Sequence, residues 1–537
     1  MDPIDAARDW ISQDPDPQTR AELTALVEAN DVAEIAARFA GTLQFGTAGL
    51  RGELGAGPMR MNRVTVGRAA AGLAAYLLRQ YDDPSVVIGY DARTNSDVFA
   101  RDTAEIMQGA GVRALLLPEH LPTPVLAFAI GHLGTSAGVM VTASHNPPRD
   151  NGYKVYLDDT SQIVPPADAE IAACIAAVGR IDALPRRDDY TVLGDDVAEA
   201  YLAAVAGIVP DGPRDLVVAY TPMHGVGGRL LTDAARRAGF SAPEVVTAQA
   251  DPDPAFPTVA FPNPEEPGAM DLAFEVAARI DADVVIANDP DADRCAVGAR
   301  TASGHRMLSG DQVGVLLAES LLRRGVSGTY ACSIVSSDLL GRQAAAHGQP
   351  WQQTLTGFKW IGKVEGLVFG YEEALGYCVA PHIARDKDGI SAALLIMALA
   401  AELKAEGRTL FDLLDDVYRR HGWHATGQLA VRVEDLGLIR SAMQRLRTSP
   451  PRELGGRAVE TVDDLAEGYR GLPPTDGIRL GLTGGSRIIC RPSGTEPKLK
   501  CYVEAVAEAE VLDEARDIAT SAVDAIIADL AAFLDLG

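Results

Sequence analysis

The stretch Val139-Met-Val-Thr-Ala-Ser-His-Asn-Pro-Pro148 decides most of what the sequence predicts, because a short apolar run stops there at a polar turn. The run is typical of a buried strand that ends at Thr142, and Pro147 interrupts whatever follows. Ser144 is therefore predicted on a loop beside His145. A serine hydroxyl is a poor nucleophile unless a neighbouring base activates it, so this pair suits covalent catalysis. Taken alone, the pattern is equally compatible with an ordinary Asn-Pro turn.

Length and composition indicate a soluble protein of three or four domains. A chain of 537 residues exceeds one ordinary hydrophobic core, and 47% hydrophobic with 23% charged residues is typical of globular domains. The net charge of −26 argues against a nucleic-acid or anionic-membrane partner. It also requires that any site for a phosphorylated ligand be locally positive.

Cysteine usage and the lack of targeting patterns favour the cytoplasm. The six cysteines are scattered without CxxC spacing, which suits buried thiols in a reducing compartment rather than disulfides or zinc ligands. Residues 1–6 have neither the basic start nor the apolar run of a signal peptide. The longest apolar stretch, residues 390–401, is too short to span a bilayer and is predicted as a buried helix.

Short β-branched runs alternate with longer Ala- and Leu-rich helical patterns through most of the chain, which indicates βαβ units on parallel or mixed sheets. Three stretches look alike, each with an apolar strand, a polar turn and a helix that ends at glycine: residues 85–111, 216–239 and 329–348. Their spacing favours three related α/β domains, although any α/β protein offers such similarities.

The pattern changes after Gly422. Residues 427–433 alternate like a strand with one exposed face, a strand pair is predicted around residues 487–503, and a long helix at about residues 508–536 closes the chain. We interpret this part as a smaller α+β domain.

A second polar loop, Asn288-Asp-Pro-Asp-Ala-Asp-Arg294, follows the apolar run at residues 284–287. Asp289, Asp291 and Asp293 recur at every second position, so an extended backbone points all three carboxylates to one side. Without a cation they would repel one another, whereas a hard divalent ion removes that conflict. An EF-hand is excluded, because its required glycine and glutamate are arginines here. The sequence therefore predicts a divalent metal site.

A third polar loop, Phe369-Gly-Tyr-Glu-Glu-Ala-Leu-Gly-Tyr377, places Glu372 and Glu373 after an apolar strand. The two glycines of the loop allow close backbone approach. Adjacent carboxylates in this position are able to accept hydrogen bonds from sugar hydroxyls. The alternative is a pair that simply faces solvent.

The fourth loop, Arg491-Pro-Ser-Gly-Thr-Glu-Pro-Lys498, lies between two predicted strands. It combines a guanidinium, two hydroxyls, a glycine-exposed backbone and a nearby ammonium, which together suit a phosphate group. The alternative is a tight hairpin turn without a ligand.

With these loops in this order, the chain resembles the α-D-phosphohexomutase superfamily, the phosphoglucomutases and phosphomannomutases, over nearly its whole length. The form of the third loop, and the opening Phe45-Gly-Thr-Ala-Gly-Leu-Arg-Gly52, look most like the phosphoglucomutase-2/phosphopentomutase branch. The segments that carry the resemblance are Gly46-Thr-Ala-Gly-Leu-Arg-Gly52, Thr142-Ala-Ser-His-Asn-Pro147, Asn151-Gly-Tyr-Lys154, Asp289-Pro-Asp-Ala-Asp-Arg294, Gly370-Tyr-Glu-Glu-Ala-Leu-Gly376 and Arg491-Pro-Ser-Gly-Thr495.

The resemblance implies four domains around a central cleft, three related α/β mixed-sheet domains and a TBP-like C-terminal α+β domain. We expect domain I with the phosphoserine loop, domain II with the metal loop, domain III with the sugar-binding loop and domain IV with the phosphate-binding loop. Their expected bounds are residues 1–207, 208–325, 326–425 and 426–537.

The resemblance also implies roles for individual residues. Ser144 is expected to carry a phosphoryl group and to hold Mg²⁺ together with Asp289, Asp291 and Asp293. A lysine that acts as a base requires a locally lowered pKa. The other expected catalytic residues, which contact the phosphate or transfer protons, are Arg51, His145, Lys154 and Lys387. The expected substrate-binding residues are Arg294, Thr356, Gly357, Glu372, Glu373, Arg491, Ser493, Gly494 and Thr495.

The activity that the resemblance implies is that of a phosphohexomutase, which interconverts the 1- and 6-phosphates of glucose, mannose or both through a sugar 1,6-bisphosphate. The alternatives are a phosphopentomutase acting on ribose or deoxyribose 1-phosphate and a non-catalytic sugar-phosphate binding protein. Several family members have serine where this chain has Ala374, which leaves the sugar undecided. The expected partner is a small sugar phosphate, and the sequence is compatible with a monomer or a dimer.

Overall fold

The computed structural model describes residues 2–44, 49–433, 435–493 and 498–535. The chain forms two compact units, Met1–Leu308 with Ala374–Gly407, and Ser309–Glu373 with Arg408–Gly537. Helices and strands alternate through most of the chain, as the sequence predicts.

Three helices come first: α1 (Pro3–Gln13), α2 (Pro17–Glu28) and α3 (Val32–Arg38). Each begins after an aspartate whose carboxylate accepts a hydrogen bond from a backbone N–H of the first turn, which caps the helix. Their apolar side chains, among them Trp10 and Leu23, share a small core.

The first sheet, as far as the described residues show, has six strands in the spatial order β1-β5-β4-β2-β3-β6 once they are numbered along the chain. They are β1 (Leu50–Glu53), β2 (Ser85–Tyr90), β3 (Arg113–Leu116), β4 (Ala137–Val141), β5 (Asp150–Leu157) and β6 (Thr191–Val192). The strands β4, β2 and β3 are parallel neighbours, whereas β5 runs antiparallel to β4. The accompanying helices are α4 (Arg63–Gln80), α5 (Ser96–Ala110), α6 (Thr123–Leu133), α7 (Ala167–Ala176) and α8 (Asp196–Gly207).

The second sheet also combines three parallel strands with an antiparallel neighbour. Its strands are β7 (Val218–Thr221), β8 (Glu244–Val245), β9 (Val284–Ala287), β10 (Ala296–Thr301) and β11 (Gly304–Met307). The strand β7 is the parallel neighbour of both β8 and β9, and β10 continues the sheet antiparallel to β9. Its helices are α9 (Gly227–Arg237) and α10 (Asp271–Ile280).

The third α/β region has the parallel strands β12 (Thr329–Ser333), β13 (Trp351–Thr354) and β14 (Leu367–Glu372), with β12 in the centre. Its helices are α11 (Gly310–Arg323), α12 (Leu339–Ala346) and α13 (Phe358–Ile361). The next elements along the chain are β15 (Gly376–Cys378), α14 (Gly389–Ala405) and α15 (Leu410–His421). Nearly every side chain of α14 is buried, which confirms the helix predicted for the longest apolar stretch. None of the described helices is both long enough and apolar enough to cross a membrane.

The three α/β sheets share one arrangement. In each, the first strand of a parallel trio lies between the second and the third, and a polar loop follows the third strand. These third strands are β4, β9 and β14, so the serine, the aspartates and the glutamate pair stand at equivalent positions. The predicted three related α/β domains are confirmed by this shared order.

The C-terminal part is an antiparallel sheet in the spatial order β16-β21-β20-β19-β18-β17, which confirms the predicted α+β domain. The strands are β16 (Trp423–Arg432), β17 (Glu453–Leu454), β18 (Arg457–Asp464), β19 (Ile478–Leu482), β20 (Arg487–Pro492) and β21 (Lys498–Ala507), and the helices are α16 (Leu436–Thr448) and α17 (Leu512–Leu534). The last helix starts later than the predicted residue 508, because β21 continues to Ala507 and the chain must turn first.

Candidate active site

Ser144 lies in the loop between β4 and β5, as the sequence predicts. Its Oγ donates a hydrogen bond to Asp289 Oδ2 at 2.7 Å and lies 3.3 Å from His145 Nδ1. Only 2% of the residue is exposed. Its φ of +52° is a left-handed conformation that costs a residue other than glycine about 1–2 kcal/mol. Backbone strain at a buried polar loop is typical of functional sites.

The three aspartates after β9 converge. Asp289, Asp291 and Asp293 are buried, and one carboxylate oxygen of each lies within 4.8 Å of the others. Thr123 Oγ1 donates a hydrogen bond to Asp291 Oδ2 at 2.5 Å. The backbone N–H of Arg294 donates to Asp289 Oδ1 at 3.0 Å. Two of the three carboxylates, those of Asp289 and Asp291, are thus held by hydrogen bonds from neighbouring residues.

This donor set fits a hard divalent cation. Asp291 Oδ1 and Asp293 Oδ1 are buried and have no hydrogen-bond partner within the described part of the chain. Buried oxygen atoms are costly in this state unless an ion or a water satisfies them. Burial, and then the charges of Asp291 and Asp293, raises the pKa of Asp289 well above its usual value. Because carboxylate oxygens are the ligands that Mg²⁺ prefers, the residues present fit the implied ion.

Two lysines face the aspartates. Lys154 Nζ lies 2.8 Å from Asp291 Oδ2 and from Asp293 Oδ2, and Lys387 Nζ lies 3.2 Å from Asp293 Oδ2 and from Asp386 Oδ1. Burial alone would lower the pKa of Lys154, but the two carboxylates outweigh burial and raise that pKa. Lys154 is therefore held as an ammonium. A role as a base requires that the charge of the two carboxylates be neutralised.

Arginines add positive charge beside the serine loop. Arg51, in β1, donates a hydrogen bond to Asn146 Oδ1 at 2.9 Å, while its buried Nε has no partner among the described residues. Arg294 Nε lies 3.8 Å from Asp289 Oδ2. Burial, and then the charges of Arg294 and Arg51, lowers the pKa of His145 well below its usual value, so the imidazole is neutral at pH 7. The loop thus has the positive surroundings that a phosphate requires in an acidic protein.

Three buried residues that hold this site are not among the residues predicted from the sequence: Asp91, Arg93 and Thr123. Asp91 and Arg93 directly follow β2, and polar residues at the carboxyl end of a parallel strand are a signal that would have singled them out. Thr123 gives no such signal, because its partner Asp291 is 168 positions away in the sequence.

In the second unit, the glutamate pair at the end of β14 is partly buried and hydrogen-bonded. Glu372 Oε1 accepts a hydrogen bond from the N–H of Gly357 at 2.7 Å. Glu373 Oε2 accepts from Ser333 Oγ at 3.1 Å and from Ser336 Oγ at 3.0 Å. Burial, and then the charge of Glu372, raises the pKa of Glu373 to about 7. The pair does not simply face solvent.

Thr356 and Gly357 form the turn that leads into α13. Thr356 is half-buried, and Gly357 has a φ of +112°, which a residue with a Cβ atom rarely adopts. This conformation accompanies the hydrogen bond from the Gly357 N–H to Glu372. The two predicted substrate-binding residues therefore lie beside the glutamate pair.

The fourth loop joins β20 to β21, in which Arg491 is opposite Lys500. The N–H of Ser493 donates a hydrogen bond to Lys498 O at 2.8 Å, which closes the hairpin. The predicted strand pair is confirmed. The other two residues predicted for this loop, Gly494 and Thr495, lie outside the described residues.

Tyr502, in β21, was not singled out by the sequence, but it links two of the predicted regions of the second unit. Burial, and then the charge of Glu373, raises its pKa, while a hydrogen bond with Arg491 works in the opposite direction. Glu373 and Arg491 therefore act on one tyrosine, although 118 positions separate them in the printed sequence (491 − 373). Only the folded chain shows this proximity.

Comparison with known proteins shows which family the chain belongs to. Sequence profiles of the phosphoglucomutase/phosphomannomutase family match the chain in four consecutive segments. They are alpha/beta/alpha domain I at residues 42–181, alpha/beta/alpha domain II at 199–303, alpha/beta/alpha domain III at 309–421 and the C-terminal domain at 438–521.

Individual relatives agree with these profiles. A protein of Haemophilus influenzae named probable phosphomannomutase is 52% identical over 455 residues, which cover 83% of this chain and 93% of that protein. A probable phosphoribomutase of Schizosaccharomyces pombe is 35% identical over 552 residues, 94% of either chain. The solved structure of a putative phosphomannomutase from Thermus thermophilus matches with a TM-score of 0.73 and 25% identity, over 92% of this chain and 99% of that one. The chain belongs to the phosphoglucomutase/phosphomannomutase family of the α-D-phosphohexomutase superfamily.

Proposed function

We propose that this protein is a phosphosugar mutase, an enzyme that moves a phosphoryl group between two oxygens of one sugar. The observation that carries the proposal is the 2.7 Å contact between Ser144 Oγ and Asp289, because it joins a candidate nucleophile to a buried cluster of carboxylates and lysines. Relatives named as mutases, which align with most of the chain, support the same activity. A protein that only binds sugar phosphates needs no nucleophile.

In the proposed cycle, Ser144 carries a phosphoryl group that passes to the free hydroxyl of a sugar monophosphate. The bond from phosphorus to Ser144 Oγ breaks as the bond to the sugar oxygen forms, and the sugar hydroxyl loses its proton to Lys154 or Lys387. The sugar 1,6-bisphosphate then returns its other phosphoryl group to Ser144. The same two lysines supply a proton to each departing oxygen, Ser144 Oγ in the first transfer and the sugar oxygen in the second, and take up the proton that Ser144 Oγ loses as it is rephosphorylated.

The remaining residues receive roles from their surroundings. Asp289, Asp291 and Asp293, with the phosphate on Ser144, would hold Mg²⁺, which neutralises charge on the phosphoryl group and polarises it. The neutral imidazole of His145 and the guanidinium of Arg51 are assigned to orient the oxygens of the phosphate on Ser144, and Arg294 is assigned to substrate binding. Sugar recognition is assigned to Thr356, Gly357, Glu372 and Glu373, and retention of the phosphate that is not reacting to Arg491, Ser493, Gly494 and Thr495.

The sugar is proposed to be glucose or mannose, as its 1- or 6-phosphate, because a probable phosphomannomutase is 52% identical to this chain. A pentose 1-phosphate is the second candidate, which the full-length similarity to a probable phosphoribomutase favours. The proposal includes a cytoplasmic location and the domain bounds 1–207, 208–325, 326–425 and 426–537.

The nucleophile is tested by Ser144→Ala, which removes one oxygen atom. Mutase activity should fall by several powers of ten, each about 1.4 kcal/mol of activation free energy, because no other group replaces the covalent carrier. Intact-mass measurement should find one added phosphate on the wild type after incubation with glucose 1,6-bisphosphate and none on the variant. Ser303→Ala, in the exposed turn between β10 and β11, is the matched control. Activity of Ser144→Ala within about tenfold of wild type would remove the assignment.

The sugar is tested by comparing kcat/KM for the 1-phosphates of glucose, mannose, glucosamine and ribose, each with its matching bisphosphate. A preference for glucose or mannose supports the hexomutase, since kcat/KM ratios measure differential binding of the transition state. A preference for ribose 1-phosphate replaces the hexomutase proposal with the pentomutase proposal. The roles assigned to the serine loop stay the same in either case.

A further inference from the structure

The guanidinium of Arg93 lies beneath the serine loop, and only 3% of this residue is exposed. Its two terminal nitrogens donate hydrogen bonds to four backbone carbonyls, three in the loop and one at the first residue of β5. The acceptors are the carbonyl oxygens of Ser144 at 2.6 Å, Asn146 at 2.5 Å, Pro147 at 2.9 Å and Asp150 at 3.2 Å. One side chain therefore holds the loop across its whole length.

Asp91, two residues before Arg93, holds the same loop through a second route. Its Oδ2 accepts a hydrogen bond from Thr142 Oγ1 at 2.6 Å, and Thr142 Oγ1 in turn accepts one from the N–H of Ser144 at 2.8 Å. Asp91 also lies 3.5 Å from Arg93 Nε. Both backbone groups of Ser144, its N–H and its C=O, are thus tied to the end of β2.

This double attachment accounts for the conformation of Ser144. A serine with a φ of +52° would relax to a negative φ in a free loop, which would turn its Oγ away from Asp289. The planar guanidinium has donors in a fixed fork and matches several carbonyls at once, which an ammonium does not. Phe256 covers the guanidinium at 4.9 Å and limits its movement.

We propose that Arg93 is the positioning residue of the proposed reaction: it fixes the backbone of Ser144 so that the hydroxyl faces Asp289. The inference rests on the proposed role of Ser144 as the nucleophile. Arg93 donates to the backbone of the loop, so its loss should affect the transfer step rather than substrate binding. The measured signs are a lower kcat with an almost unchanged KM, and slower phosphorylation of Ser144 by glucose 1,6-bisphosphate.

The first variant is Arg93→Ala, which leaves a cavity lined by carbonyl oxygens. We expect kcat to fall about 100-fold, the usual penalty for a misplacement of about 1 Å, with KM within about threefold. Millimolar guanidinium ion should restore part of the lost kcat, because it fits the cavity and offers the same donors. Ammonium ion at the same concentration should not.

A matched control exists in the same unit. The guanidinium of Arg214 also donates to four backbone carbonyls and lies 4.9 Å from an aromatic ring, Phe240, but none of these carbonyls is in the serine loop. Its acceptors are the carbonyl oxygens of Pro210, Gly212, Pro213 and Ala238. Arg214→Ala should lower Tm, as Arg93→Ala does. Its kcat should equal that of wild type, and guanidinium ion should not change that kcat.

The outcomes separate this inference from the proposed function. If Arg93→Ala keeps kcat within about threefold while Ser144→Ala is inactive, the positioning role is wrong and the mutase mechanism stands. If Arg93→Ala has a lower kcat together with a higher KM, and guanidinium ion restores none of the lost kcat, the residue is only structural. If Arg93→Ala does not fold, Arg93→Lys decides: a folded but slow Arg93→Lys supports the fork geometry, and a wild-type kcat overturns it. Full activity in Ser144→Ala removes the proposed function itself.

Discussion

The loops after β9 and β14 stand at equivalent positions in two related sheets, yet the pKa of Asp293 in the first loop and that of Glu373 in the second are shifted in opposite directions. After β9, burial works against ionisation of Asp293, but Lys154 and Lys387 outweigh burial and hold its pKa below the usual range. After β14, the carboxylate of Glu373 accepts hydrogen bonds from two serine hydroxyls, but burial and then the charge of Glu372 raise its pKa to about 7. Topology fixes where these loops stand, whereas cations from other elements decide whether a carboxylate keeps its charge.

The difference suits the two tasks proposed for these loops. The pKa values of Asp291 and Asp293 are lowered, and each has one oxygen without a hydrogen-bond partner among the described residues, which suits a divalent cation. A carboxyl group that titrates near pH 7 accepts hydrogen bonds when ionised and also donates one when protonated. Such a group is suited to a sugar hydroxyl, which itself donates and accepts. Three substitutions test whether the contrast is real.

The largest effect is expected for Asp291→Asn, which keeps the shape of the side chain and removes one charge from the aspartate cluster. Loss of an anionic ligand should lower Mg²⁺ affinity and turnover together, by about 100-fold or more, since even groups that only support a metal ligand contribute 10- to 100-fold. Calorimetry measures the affinity. Excess chelator should abolish wild-type activity, and Mg²⁺ should restore it.

The control for this variant is Asp215→Asn, whose carboxylate side chain is 93% exposed. It should keep both the affinity and the turnover. Unchanged Mg²⁺ affinity in Asp291→Asn, or full activity in excess chelator, would contradict the site of three carboxylates.

A smaller effect is expected for Thr123→Val. The valine side chain has a volume similar to that of threonine but no hydroxyl to donate to Asp291 Oδ2. The backbone hydrogen bond from Thr123 N–H to Asp291 O at 2.9 Å is retained. We expect Mg²⁺ affinity to fall about tenfold, at the lower end of the range for such supporting groups. Thr135→Val, which removes a buried hydroxyl that donates to Ala137 O, is the matched control. Equal Mg²⁺ affinity in the two variants would show that Thr123 does not orient the carboxylate.

The smallest effect is expected for Glu373→Gln and concerns stability. The pKa of Glu373 is raised from 4.5 to about 7 on folding, so its stabilising contribution is complete below about pH 4.5 and is lost as the pH rises through 7. The variant has no such group, so its free energy of unfolding should fall less than that of wild type between pH 5 and pH 8. The difference is on the order of 1–2 kcal/mol after allowance for solvent contact.

Chemical denaturation at several pH values measures this difference. Glu365→Gln, at an exposed position of the same region, is the control. Identical slopes in wild type and Glu373→Gln would show that the pKa of Glu373 is not raised on folding, and the contrast between Glu373 and Asp293 would disappear.

The sequence was a good guide wherever a signal lies within a few consecutive residues. The predicted strand at residues 85–90 is β2, and the helix predicted after it differs from α5 by one residue at its end. Ser144 and the three aspartates were located because each follows a short apolar strand, and hydrophobic periodicity is a local property. The position of Arg93 after β2 has a local signal, but its role was not predictable, because the carbonyl groups that it binds are 51 to 57 positions away.

By itself, the sequence determined the α/β class, the C-terminal change to α+β, the order of the four polar loops and the candidate nucleophile with its carboxylates. Only the tertiary structure decided that Lys154 is held as an ammonium, that Glu373 titrates near pH 7, and that Arg93 fixes the backbone of Ser144. The reason is physical. A pKa and a hydrogen bond depend on burial and on distances in space, and chain segments far apart in the sequence supply both.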